Sequence, residues 1–487
     1  MSYEILIGKS NLKPVSFNLG LANRHGLIAG ATGTGKTLTL QSLAQGFSDL
    51  GVPVFITDIK GDLSGLAASG NVSNLKINER FKLLGIESIN FKKCPVCFWD
   101  IFGEKGLPIR ATISDMGPLM LSHLMSLNET QESVLQIVFK IADEMNLHMI
   151  DLKDLESLLT YTNDHAKELQ DKYGLFSVAS INAIRRGLLT LESEGARIFF
   201  GEPMLNINDF IQTDKEGNGI VNILSAEKLM LSPKLYATSL LWMLSELFEN
   251  MPEVGDLEKP KLVFFFDEAH LLFNDTPKVL VEKIEQVVRL IRSKGIGIYF
   301  VTQSPTDIPD KILAQLSHRF QHALRAFTPK DKKTVSVVAE TMRENPLFRT
   351  AEVITELAVG EALVSTLNAD GSPSIVERVY MIPPKSKIGL INEEERNLLI
   401  KKSNLLEKYE VTIDRNSAYE QLGELKTQTQ KTSTKAEAPA EVKVRERSAS
   451  KRQTVAEAVL KTTARTVANE VGKQIVRGLL GGIFGRR

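Results

Sequence analysis

Only two cysteines occur in this chain of 487 residues, Cys94 and Cys97, spaced Cys-Pro-Val-Cys. That spacing suits half of a zinc knuckle or a redox pair. Tetrahedral zinc needs two further ligands, however, and neither a second CxxC nor a well-spaced His pair follows, so two reduced thiols are expected unless a zinc is shared between subunits. A surplus of charge is also lacking: Lys plus Arg and Asp plus Glu number 59 each. No global basic field marks nucleic acid as a partner, although a ring can hide a basic channel inside a neutral total. Long apolar runs are missing too, since no stretch reaches the roughly 18 residues of a membrane span. The first residues, MSYEILIGKSNLK, lack the charged and apolar regions of a signal peptide, which gives a cytoplasmic expectation. Hydrophobic residues at 43% and charged residues at 24% fit a globular protein. At this length more than one structural unit is expected.

The strongest feature present is LIAGATGTGKTLTL, Leu27 to Leu40. An apolar run meets Gly30-Ala31-Thr32-Gly33-Thr34-Gly35-Lys36-Thr37, and helix-forming residues from Leu38 onward follow. This is the strand, loop and helix order of a phosphate-binding P-loop. Gly30, Gly33 and Gly35 let the backbone curl so that its N–H groups, with those of Thr34, Lys36, Thr37 and Leu38, point at phosphate oxygens. Lys36 is placed for the β and γ phosphates and Thr37 for Mg²⁺, while the helix aims its positive end at the same anion.

Two short strands are expected before the P-loop, at residues 4–8 and 15–19. The segment Asn23-Arg24-His25-Gly26 leads into the P-loop strand, which suggests Arg24 and His25 as neighbours of the nucleotide site, with a solvated surface charge as the plainer role for Arg24. Residues 52–57 read as a buried parallel strand ending in Asp58, and DIKGD follows. At a strand's carboxyl end an acid can orient Mg²⁺-bound water, or it can cap the turn. Residues 104–203 carry helical periodicity and read as an inserted helical subdomain.

The second strong signal is the strand LVFFF, Leu262 to Phe266, running out into Asp267 and Glu268. This is the Walker B pattern: Asp267 serves the Mg²⁺ shell through water and Glu268 polarises the water that attacks the γ phosphate. A further strand over 297–302 ends in Gln303, an amide able to sense the γ phosphate. His318 and His322 stand four apart without the Glu a metalloprotease needs.

Together RHGLIAGATGTGKT, DIKGD, LVFFFDEAH, IRSKGIGIYFVTQSP and HALRAFTPKDKK resemble the HerA-FtsK superfamily of P-loop motor ATPases. More narrowly, residues 3–422 resemble the bacterial helicase HerA-like family, of unassigned biological role. The resemblance implies an α/β fold with a RecA-like (ASCE) core and a mainly parallel sheet, ATP and Mg²⁺ as cofactors, and a homo-oligomer built as a hexameric ring with ATP sites between subunits. It implies that Arg24 acts on the neighbouring subunit's site, that Arg292 matches an Arg after Walker B, that Asp58 matches an acidic motor-motif residue, and that Gln303 is the sensor. HerA proper docks a nuclease through an N-terminal β-barrel. Only about two strands precede Lys36 here, so that partner is not inferred, and the helical insertion offers a surface for some other protein.

The expected layout is a first part of the motor core over 1–103, the insertion over 104–203, the second part over 204–400 and a helical segment over 401–422. Residues 423–453, poor in large apolar groups, read as a disordered linker. Residues 454–487 read as a basic amphipathic helix, suited to docking on the motor or to membrane or nucleic-acid contact. The functional expectation is an ATPase motor that translocates double-stranded DNA, with an ATP-gated scaffold that moves nothing as the alternative.

Overall fold

The computed structural model describes residues 3–434 except Val72, Ser88 and Asp275. Residues 1–426 make one compact unit, organised on a 12-stranded sheet. Its strands are β1 (Glu4–Ser10), β2 (Lys13–Asn18), β3 (Gly26–Ala29), β4 (Val54–Asp58), β5 (Val96–Asp100), β6 (Leu107–Pro108), β7 (Val221–Ser225), β8 (Leu262–Phe266), β9 (Ile296–Thr302), β10 (His318–Gln321), β11 (Glu361–Ser365) and β12 (Glu377–Met381). The spatial order is β2-β1-β12-β11-β10-β3-β9-β8-β4-β7-β5-β6. From β10 to β6 every neighbouring pair is parallel, whereas β10-β11-β12-β1-β2 is antiparallel. The parallel half is the RecA-like α/β core expected from the sequence.

Strands buried on both faces need continuous apolar sequence, and β3, β4, β7, β8 and β9 are buried at every residue. One face of the sheet packs on helix Lys36–Asp49 through Leu40, Leu43, Ala44 and Phe47. The other meets helix Pro233–Asn250, which buries Leu235, Leu240, Leu241 and Leu244. Phe265 of β8 lies fully buried between Phe47 and Tyr299, with ring centroids 6.2 and 5.1 Å away. Phe265→Ala should cost about 3–5 kcal/mol, measured as a fall in the denaturant midpoint.

Two expectations change. β6 carries the sheet to Pro108, past the expected start of the insertion at 104, and the helices from Ile113 to Phe199 share one apolar cluster with the sheet. Helix Ala418–Thr434 runs into the stretch expected to be a disordered linker from 423. Its first turn is fixed by Ser417, whose N–H donates to Glu420 and whose hydroxyl donates to Asp154, and Leu422 is buried. The rest of that linker and the basic helix of 454–487 lie outside the described residues. Cys94 and Cys97 are free thiols, as expected, buried in different apolar clusters, and burial pushes both up to about 12. Among the described residues no helix is long and apolar enough to cross a membrane.

Candidate active site at the carboxyl ends of the parallel strands

The P-loop curls between β3 and helix Lys36–Asp49. Gly30, Gly33 and Gly35 take φ of 153°, 78° and 114°, values that side chains beyond glycine resist. At Gly30 the need is also spatial, because a Cβ there would sit 2.5 Å from that of His322. The loop is held from β10 and its sequel: Ala31 N–H donates to Ala323 O at 2.8 Å, Gly360 N–H to Thr34 O at 3.0 Å, and the buried His322 ring meets Thr39 Oγ1 at 3.0 Å through Nε2. Burial holds the His322 imidazole neutral, down to about 4. The Lys36 ammonium donates to Gly30 O at 2.6 Å and Ala31 O at 3.1 Å, so it lies across the mouth of its own loop. Burial pulls its ionisation below the ordinary value, against the attraction of Glu268 and Asp267. Thr37 and Leu38 are half-buried in the first turn of the helix.

β8 lies two strands from β3, across β9, and delivers the acids. Asp267 N–H donates to Thr57 Oγ1 of β4 at 3.0 Å, and the Tyr236 hydroxyl bonds both Thr57 Oγ1 and Asp267 O at 3.3 Å. Asp267 is 5% exposed. Burial, then the Glu268 charge, push its carboxyl up to about 7. Its Oδ2 is buried without a hydrogen-bond partner. An orphaned carboxylate oxygen beside a Thr-bearing P-loop is a donor set that fits Mg²⁺, with Thr37 and Asp267 as the residues to hold it. Glu268 stands at φ 46° and ψ 49°, a left-handed backbone that costs a non-glycine residue about 1–2 kcal/mol. Burial raises its carboxyl, but the bonded Lys60 ammonium, His270 and Lys36 outweigh this and hold it below the ordinary value.

Gln303 follows β9 directly and its side chain is exposed at the same edge. Asp58 ends β4, buried, and accepts from Gly61 N–H at 2.7 Å and Leu63 N–H at 3.2 Å, so its carboxylate caps the DIKGD turn. Burial and the nearby Asp62 and Asp267 push it up to about 7. Arg24 and His25 correct an expectation. They precede the amino end of β3, while the P-loop follows its carboxyl end, so about six residues at roughly 3.3 Å each separate Arg24 from Gly30. His25 is buried and its Nδ1 accepts from Ile298 N–H at 3.0 Å, a packing role. Arg24 instead shares the opposite edge with Arg292, whose guanidinium is pulled below its ordinary value first by burial and then by the Arg24 charge. Among the described residues no His, Cys or carboxylate cluster could hold another metal, and His318 is buried against Leu21 O.

Residues 4–487 match the family model described as helicase HerA-like C-terminal. The chain belongs to that family. HerA-like relatives include the DNA double-strand break repair helicase HerA of Sulfolobus acidocaldarius, 24% identical over 375 residues covering 74% of this chain and 66% of that protein. The chain spans 60–66% of the length of three curated relatives it matches and 21% of a fourth. Two solved structures share the fold at TM-score 0.50: VirB4 of Thermoanaerobacter pseudethanolicus, 14% identical, covering 77% of this chain and 96% of that one, and plasmid coupling protein TrwB in complex with the non-hydrolysable ATP analogue ADPNP, 15% identical, covering 76% and 87%.

Sequence reasoning missed Lys60, Thr57, Tyr236 and His322. Lys60 was visible only as a letter of DIKGD. Tyr236 and His322 lie far from either motif in the chain and come to the site through packing, which no spacing records.

Proposed function

We propose that the protein hydrolyses ATP with Mg²⁺ at sites shared between neighbouring subunits of a ring, and that this turnover drives movement along double-stranded DNA. The observation that carries the hydrolytic reading is the pairing of a P-loop with two buried carboxylates of opposed character, Asp267 pushed up to about 7 and Glu268 held below its ordinary range. The backbone N–H groups of residues 33–38 and the Lys36 ammonium hold phosphate oxygens. Thr37 and Asp267 would hold Mg²⁺, which would neutralise developing phosphate charge. Glu268 accepts a hydrogen bond from a water and takes its proton as the water oxygen bonds to the γ phosphorus. The bond from that phosphorus to the bridging oxygen breaks and ADP leaves. Gln303, at the tip of the intervening strand, bonds the γ phosphate and reports its loss.

Two observations support a shared site. Arg24 and Arg292 come together at the edge of the sheet opposite the P-loop, where they cannot serve their own chain's nucleotide, and each lies on a segment leading into a strand whose other end is in the site. In a head-to-tail ring, one subunit's arginine edge then faces the next subunit's P-loop edge. DNA as cargo rests on the HerA-like family. The test is steady-state ATP turnover with and without duplex DNA over a salt series. Stimulation that fades as salt rises is expected. Turnover indifferent to duplex, together with no salt-dependent DNA binding, would leave an ATP-gated scaffold as the better reading.

A further inference from the structure

The loop after β4 places a second lysine in the site. Lys60 Nζ lies 2.7 Å from Glu268 Oε1, and its own side chain is half exposed while that of Glu268 is 9% exposed. Glu268 Oε2 is buried without a hydrogen-bond partner, 3.5 Å from His270 Nδ1. One oxygen of the carboxylate is therefore anchored, and the other has no hydrogen bond and lies beside the His270 ring. Lys60 is itself positioned with care. Asp58 caps its turn, Ser64 Oγ donates to Gly61 O at 2.7 Å, and Ala226 N–H donates to Asp58 O at 2.9 Å. Through Thr57, the strand that carries Lys60 is bonded directly to Asp267, the residue before Glu268.

We propose that Lys60 is a positioning residue that anchors one oxygen of Glu268, so that the other faces the attacking water and Glu268 is kept off Lys36. The inference rests on the reading of Glu268 as the water-polarising base. The charged groups facing Glu268 are Lys36 from the P-loop helix, Lys60 from the β4 loop, Asp267 beside it and His270 after it, while Asp62 of the β4 loop acts on Asp267. Of these cations, Lys36 is the rival. Its charge already acts on Glu268, and a carboxylate free to swing would pair with it, removing at once the base from the water and the ammonium from the phosphates. By bonding Glu268 Oε1, Lys60 keeps that carboxylate from pairing with Lys36.

The test compares Lys60→Met and Lys60→Arg in the full chain. For Lys60→Met, kcat should fall about 10- to 100-fold, the scale of a misaligned catalytic group. KM for ATP and the affinity for a fluorescent ADP analogue should stay within about threefold, because no phosphate contact is lost. Lys60→Arg should recover most of kcat. In a Glu268→Gln background, Lys60→Met should cost almost nothing more, since its effect acts through the missing carboxylate. A normal kcat in Lys60→Met would overturn the proposal, as would a weakened ADP affinity or an undiminished penalty in the Glu268→Gln background, each placing Lys60 on the nucleotide instead. A faster Lys60→Met enzyme would also overturn it, by making the pair a brake. If Glu268→Gln alone turns over normally, the reading of Glu268 itself fails; if Glu268→Gln is inactive and Lys60→Met is not, only the positioning role does.

Discussion

Glu268→Gln should lower ATP turnover by about 10²–10³-fold, the usual worth of a positioned general base, while ATP binding is retained or strengthened. The substitution keeps the shape of the side chain and removes its negative charge. Glu268 contributes nothing to the phosphate cradle, which consists of backbone N–H groups and Lys36, so binding has no reason to fail. The charge it removes is one that repels Asp267, whose carboxyl is held up first by burial and then by Glu268. Asp267 gains freedom to ionise, and magnesium affinity should not decline. Lys60 loses its partner, but its half-exposed side chain stays hydrated. Single-turnover hydrolysis alongside equilibrium binding of an ATP analogue checks both halves. Wild-type turnover in this variant would remove Glu268 from the chemistry.

Arg24→Ala and Arg292→Ala should each depress turnover by about 10³-fold or more if the guanidinium meets developing charge on the transferred phosphoryl group. The effect should come without loss of fold, because neither guanidinium is needed by its own subunit's core. Within one chain, burial and the Arg24 charge both disfavour the Arg292 cation, with Asp256 acting the other way. The variants should therefore keep the wild-type melting temperature and nucleotide affinity yet lose turnover. A lowered melting temperature with unchanged turnover would make the pair structural.

Much of the core was legible because its signals are local. Residues 262–268 and 27–37 each write strand, bend and chemistry in one short window, and the strands at 52–57 and 297–302 announced themselves as apolar runs. β5, with Val96-Cys97-Phe98-Trp99-Asp100, and the returning pair β11 and β12 went unread, since short strands next to polar loops carry little periodicity. Arg24 was misplaced for a plainer reason. Six residues from Gly30 is a short step in sequence, but an extended strand turns it into the distance from the amino to the carboxyl ends of the strands. Lys60 and Thr57 could not be assigned from sequence at all, because their meaning depends on β4 lying beside β8.

The most direct test of the shared site mixes two inactive proteins, Glu268→Gln and Arg24→Ala, and measures ATP turnover after subunit exchange. A site formed by an Arg24→Ala subunit's P-loop edge and a Glu268→Gln subunit's arginine edge holds both an intact glutamate and an intact arginine. Random mixing makes about a quarter of the interfaces complete. The account predicts that turnover rises well above the sum of the two separate proteins, toward roughly a quarter of wild type if sites act independently. Turnover that stays at that sum, in assemblies shown to have exchanged subunits, would contradict a nucleotide site built from two chains.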